Sequence, residues 1–126
     1  AAVDAKKEGK AWKVYIQGGK KSTGLHLLDW VQELEKRGAG EILLTSMDRD
    51  GTRKGYDLEM LEAVSEKINI PLIASGGAGR PEDLKDVLQE KLADAVLAAS
   101  IFHEGDYTIN MVKNYLKENN IPVSLH

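Results

Sequence analysis

The sequence predicts an α/β domain built from four strand–helix units around a parallel sheet. Three observations carry that expectation. Short apolar runs at residues 42–44, 72–74 and 95–98 are each bounded by small or polar residues, as buried strands are. Stretches with apolar residues three and four apart alternate with those runs, the mark of amphipathic helices. Each later run leads into a loop rich in glycine, serine and charge, where α/β proteins place their chemistry.

Taken in order, residues 1–4 (AAVD) read as the tail of a strand, and residues 6–10 as a charged turn around Gly9. Trp12, Val14 and Ile16 alternate with polar residues, which suits a short half-exposed strand. Residues 18–24 (GGKKSTG) read as a loop. Leu27, Leu28, Val31 and Leu34 mark a helix over 27–37, with Gly38 or Gly40 as its left-handed terminator. Residues 41–46 form the next strand. Leu58, Leu61, Val64 and Ile68 mark a helix with Asp57 as N-cap. Residues 71–75 are a strand that opens on proline, and Pro81 sits in the first turn of a helix faced by Leu84, Val87, Leu88 and Leu92. Residues 95–98 are the last strand. Ile109, Val112, Tyr115 and Leu116 mark the last helix, with Thr108 as its cap, and residues 119–126 form an irregular tail.

The later strands are apolar throughout, which predicts parallel strands covered on both faces. Right-handed crossovers would bring the strand C-termini, and with them Asp4, Asp50, Gly77 and Ser100, to one edge.

Composition narrows the function. A length of 126 residues suits one domain with one core, and no linker divides it. A net charge of −3 without a Lys/Arg block argues against nucleic acid. No apolar run is long enough to span a bilayer, and no basic-then-apolar leader opens the chain, so a cytoplasmic location is expected. The chain has no cysteine, which removes disulfides, thiolate sites and cysteine nucleophiles. Its three histidines are scattered, so no metal or other cofactor is expected.

Three loops at the ends of successive strands hold the candidate chemistry, the third being residues 99–102 (ASIF). Residues 45–56 (TSMDRDGTRKGY) carry Asp48, Arg49, Asp50 and Thr52 with two glycines, and residues 75–79 (SGGAG) precede the Pro81 helix. Amide groups at a helix start bind phosphate, and Ser100 would add a hydroxyl from the neighbouring loop. Alternatively, these glycines only make a tight turn. Asp4, at the end of an apolar strand, is either an acid/base carboxylate or a cap. Asp50 is either catalytic or the holder of the Gly51–Thr52 turn, and Asp48 and Arg49 either pair with each other or face solvent.

The strings at residues 36–46 (KRGAGEILLTS), 48–52 (DRDGT), 55–57 (GYD), 73–79 (IASGGAG) and 98–103 (AASIFH), with Leu28-Asp29-Trp30-Val31, together resemble the cyclase subunit of imidazole glycerol phosphate synthase. The resemblance covers essentially the whole chain but only the second half, strands five to eight, of that family's eightfold (βα) barrel. It implies a (βα)₄ half of a TIM barrel. Asp4 then matches one of a pair of acid/base aspartates. Thr45, Asp50 and Gly51 match the loop after strand six, and Ser75, Gly76, Gly77, Ala99 and Ser100 match one of two phosphate sites. Glu41 matches the acidic member of a charged gate where ammonia enters from a glutaminase partner.

The implied reaction joins ammonia to a phosphoribulosyl-formimino carboxamide ribotide, giving imidazole glycerol phosphate and aminoimidazole carboxamide ribotide in histidine biosynthesis. The first-half aspartate, the other phosphate site and the other gate residues have no counterpart here, so the half chain alone is expected to be inactive or weakly active. Gly18-Gly19 falls where the family can carry a hydroxyl. The related phosphoribosyl isomerase shares Asp-Gly-Thr and the Gly-Gly loop, but usually has Gly-Arg in place of Ala99-Ser100. A half-barrel would pair with its missing half or with a second copy of itself. A non-catalytic, phosphate-binding half-barrel is the alternative, and half of the related isomerase is a further one.

Overall fold

The computed structural model describes residues 1–16, 21–52, 54–96 and 109–119. Among the described residues the sheet has six strands, β1 (Ala2–Glu8), β2 (Ala11–Ile16), β3 (Lys21–His26), β4 (Ile42–Ser46), β5 (Leu72–Ser75) and β6 (Ala95–Val96), in the order β3-β2-β1-β4-β5-β6. The strands β1, β4, β5 and β6 are parallel, whereas β2 and β3 return antiparallel beside β1. The helices among the described residues are α1 (Leu27–Lys36), α2 (Leu58–Ser65), α3 (Pro81–Gln89) and α4 (Ile109–Glu118).

The β1–β2–β3 meander corrects the expected plan of four simple strand–helix units. The charged segment after Asp4 continues β1 as far as Glu8, because its residues find partners in β2, from Asp4 opposite Tyr15 to Glu8 opposite Ala11. Only Gly9 (φ +67°) and Lys10 are left as the turn. Lys21–His26, read as loop as far as Gly24, is a strand bonded to β2 through an irregular register. Its polar composition hides a strand that exists because its neighbour supplies the hydrogen bonds. Of the expected loop, Gly18 and Gly19 lie outside the described residues.

The helices form where periodicity placed them, and their ends have local causes. The α1 helix ends at Gly38 (φ +93°), with Ala39 N–H donating to the Leu34 carbonyl and Gly38 N–H to that of Glu35. This is a paired six-to-one and five-to-two closure that satisfies carbonyls a helix end would leave open. The Asp57 side chain accepts from Met60 N–H at the start of α2, and Pro81 is the first residue of α3. Ile68 and Leu92 fall just beyond their helices but still join or touch the core. Ala98, Thr108 and the side chains of Ile109 and Val112 lie outside the described residues.

One face of the sheet is packed. Val3, Ala5, Val14, Ile42, Leu44, Leu72 and Ala74 form a single cluster with Leu27 and Val31 of α1, Met60, Leu61 and Val64 of α2, Leu84 and Val87 of α3 and Leu116 of α4. Among the described residues, the opposite face is open along β4 and β5. Burial alternates strictly along β4 and β5, so Leu43, Thr45, Ile73 and Ser75 are half-buried between buried neighbours. Along β4 and β5 the described residues therefore do not meet the expectation of strands covered on both faces, whereas in β6 both Ala95 and Val96 are buried. Among the described residues, no helix is long and apolar enough to cross a membrane.

Candidate functional site

The parallel register assembles the site. Asp4 of β1 pairs with Thr45 of β4, and Thr45 with Ser75 of β5. These three side chains share one rung and one face, because residues on either side of each (Val3 and Ala5, Leu44 and Ser46, Ala74) point into the packed core. They lie on the open face at the C-terminal ends of β4 and β5. Three strands side by side place Asp4 roughly 10 Å from Ser75. Asp4 is not the end of its strand, as expected from sequence; β1 stays paired with β4 through Ala5 and then runs on into the meander.

The two loops beyond this row are fastened to each other. Gly55 N–H donates to the Gly77 carbonyl at 2.7 Å. Gly77 has φ +114°, and a Cβ there would overlap the Gly55 carbonyl and lie 2.9 Å from Arg49 Cβ. Gly76 has φ +90°, and a Cβ there would stand 2.7 Å from the Ser46 carbonyl oxygen. Backbone therefore packs on backbone, and a packing requirement alone accounts for both glycines. Gly51 also has positive φ, +77°, but lies in open space in an exposed turn.

Inside the first loop, Ser46 is buried and its hydroxyl accepts from Arg49 N–H, while its carbonyl accepts from Asp50 N–H. Thr52 donates from both its amide and its hydroxyl to the Arg49 carbonyl. These bonds, and not the Asp50 carboxylate, hold the turn, and they leave Asp50 exposed. Asp48 and Arg49 do not pair with each other. The Asp48 carboxylate accepts from Lys7 N–H at 2.8 Å, tying the loop to β1, and the Arg49 guanidinium faces the carbonyls of Lys54 and Gly55.

Asp83, a buried carboxylate in the first turn of α3, was not singled out by sequence reading. It accepts from Gly79 N–H at 2.7 Å and Arg80 N–H at 2.9 Å. Those two amides at the helix start thus serve an internal anion and not a bound one. The signal was present as an acidic residue three positions after the helix boundary, the reciprocal capping arrangement. Beside it, Tyr56 is buried, and burial first, then the Asp83 charge, push its phenol well above the usual range.

The remaining predicted residues are dispersed. Glu41 is exposed immediately before β4, at the opposite end of that strand from Thr45, and its carbonyl accepts from the Ala1 amino group. Ala99 and Ser100 lie outside the described residues. Among the described residues, no group of three or more His, Asp or Glu side chains is placed to hold a metal ion.

Comparison with known proteins adds a family. A model of the histidine biosynthesis protein family matches residues 1–108. The chain is 58% identical over 124 residues to an imidazole glycerol phosphate synthase subunit HisF from Dehalococcoides mccartyi, covering 98% of this chain and 49% of that protein. It is 60% identical over 125 residues to the same subunit from Dictyoglomus thermophilum, again covering 98% of this chain and 49% of that one. The chain thus spans about half the length of the curated relatives it matches.

Proposed function

Because the chain belongs to the histidine biosynthesis protein family, we propose that it supplies strands five to eight, the C-terminal half, of a cyclase barrel that makes imidazole glycerol phosphate. The observation that carries this reading is the Asp4–Thr45–Ser75 row, in register on the open face beside the Gly76–Gly77 turn. In this role Asp4 moves a proton at the reacting atoms. Thr45, Asp50 and Gly51 border the substrate, and Ser75 with the Gly76 and Gly77 amides holds one phosphate. Ala99 and Ser100 complete that grip. The Gly79 and Arg80 amides contribute nothing, since Asp83 already occupies them. The first half of the barrel brings the opposing carboxylate and the second phosphate site, and Glu41, at the far end of β4, faces an ammonia-delivering glutaminase.

Complementation tests the assignment. The chain is mixed with the first half of the Dictyoglomus relative, and turnover with ammonia is followed. Activity in the mixture alone, abolished by Asp4→Asn with phosphate binding retained, is the expected result. Activity restored only by that relative's second half would reverse the assignment of strands. Loss of both turnover and phosphate binding in Asp4→Asn would make Asp4 structural.

The half-exposed Leu43 and Ile73 on the open face favour a second reading, a half-barrel that binds phosphate and closes on a second copy without catalysis. The solution mass with and without phosphate, together with the absence of turnover in any complemented mixture, would identify it.

A further inference from the structure

The meander places one more side chain beside Asp4. Tyr15 of β2 is the direct cross-strand partner of Asp4. Side chains at such paired positions stand on the same face with Cβ atoms about 5 Å apart. Tyr15 therefore extends the polar row by one strand, to Tyr15–Asp4–Thr45–Ser75.

Its ring is anchored. The phenol donates to a Glu8 carboxylate oxygen at 2.7 Å, and the Ser22 hydroxyl of β3 reaches the same oxygen at 3.5 Å. Glu8 lies four residues beyond Asp4 on β1 and on the same face, roughly 13 Å along the strand. The bond closes only if both side chains extend toward each other, so the ring runs along the β1–β2 ladder and does not stand off it. That hydrogen bond is also the first cause raising the Tyr15 phenol above its usual range. Between the Asp4 and Glu8 rungs lie Lys6 and Lys13 on the same face, and the Lys13 Nζ is 3.1 Å from His26 Nε2. The half-exposed Tyr15 is thus an aromatic side chain held in a fixed pose beside a carboxylate, on the face the helices leave open.

We infer that Tyr15 is a stacking platform for a planar nitrogen heterocycle whose polar edge faces Asp4; this rests on the reading of Asp4 as the reacting carboxylate. A ring stacked along β1–β2 would present its edge N–H groups to Asp4 one strand away, while an attached phosphate extends across Thr45 toward Ser75 and Gly76. Tyr15 is then a positioning residue for Asp4 and determines which ring the site accepts.

The test uses the purified chain and the ribotide of 5-amino-imidazole-4-carboxamide, with inorganic phosphate as control. Ring protons of Tyr15 and amides of Gly76 and Gly77 are followed by NMR. Stacking is expected to shift the Tyr15 ring signals upfield. Tyr15→Leu should weaken ribotide binding about tenfold and leave phosphate affinity unchanged, whereas Tyr15→Phe, which keeps the ring, should bind within about threefold of the parent. If ribotide moves the Gly76 and Gly77 amides but not the Tyr15 ring, and Tyr15→Leu binds normally, the platform is wrong while the proposed site stands. If neither ribotide nor phosphate perturbs any of these groups, both fail. Should Tyr15→Leu not fold, the ring shifts of the parent chain and the Tyr15→Phe affinity decide alone.

Discussion

Replacing Gly77 by alanine tests the junction on which the candidate site is built. The added Cβ meets the Gly55 backbone and comes 2.9 Å from Arg49 Cβ, at a φ of +114° that a side chain rarely adopts. Holding a non-glycine residue in such a conformation costs about 1–3 kcal/mol. Forcing two packed loops apart adds about 1–3 kcal/mol, and the 2.7 Å bond from Gly55 N–H to the Gly77 carbonyl is weakened as they part. A total near 3–4 kcal/mol is expected, which at roughly 4 °C per kcal/mol for a domain of this size lowers Tm by about 12–16 °C. Gly51→Ala is the matched control. Its φ is +77° but nothing lies within 4 Å, so conformational strain is the sole cost, and a loss of about 1 kcal/mol is expected. Thermal unfolding followed by circular dichroism, with urea titration to compare stabilities at one temperature, measures both. Equal losses for the two variants, or a Gly77→Ala midpoint within about 3 °C of the parent, would refute the argument that backbone contact between the loops demands glycine.

Removing the carboxylate in Asp83→Ala leaves the Gly79 and Arg80 amides without their acceptor; a loss of about 2 kcal/mol is expected by urea unfolding, together with a lower phenol pKa for Tyr56 by ultraviolet titration. Tyr56 itself makes stability fall in alkali. Its folded pKa is raised above the unfolded value of 10.0, so the folded state keeps a proton the unfolded state releases, and the stabilisation present below pH 10 is lost as pH rises beyond it. Tyr56→Phe should flatten that decline in an unfolding series from pH 8 to 11. Neighbouring leucines of β4 should differ sharply: Leu44→Ala, in the packed face, is expected to cost about 3–4 kcal/mol, and Leu43→Ala, on the open face, about 1 kcal/mol in the isolated chain. Urea midpoints of the complemented barrel should show the Leu43 penalty rising toward that of Leu44; an unchanged penalty would mean the open face stays uncovered.

Much of the architecture was readable from residues close together in the chain. The apolar spacing of Leu27, Val31 and Leu34, the Asp57 cap, Pro81 at a helix start and Gly38 at a helix end act within one or two turns, and the observed helices begin and end accordingly. The site loops were also marked, since glycine, serine and aspartate after an apolar run describe a strand-to-helix turn. What those marks could not distinguish was the work of each residue. Gly76 and Gly77 were legible as necessary, but the Ser46 and Gly55 backbones that make them so lie some twenty to thirty positions away. The charge of Asp48 is visible in the sequence, yet its partner is the amide of Lys7, forty-one residues earlier.

The sequence by itself determined the helices, the strand cores and the family to which the motifs point. Long-range pairing decided three other things: that Lys21–His26 is a strand, that β1 runs on to Glu8, and that Asp4, Thr45 and Ser75 share a rung with Tyr15. The physical reason is the range of the forces. Capping and periodicity act through neighbours along the backbone, whereas strand pairing, face burial and register are agreements between segments distant in sequence, and no single segment carries them.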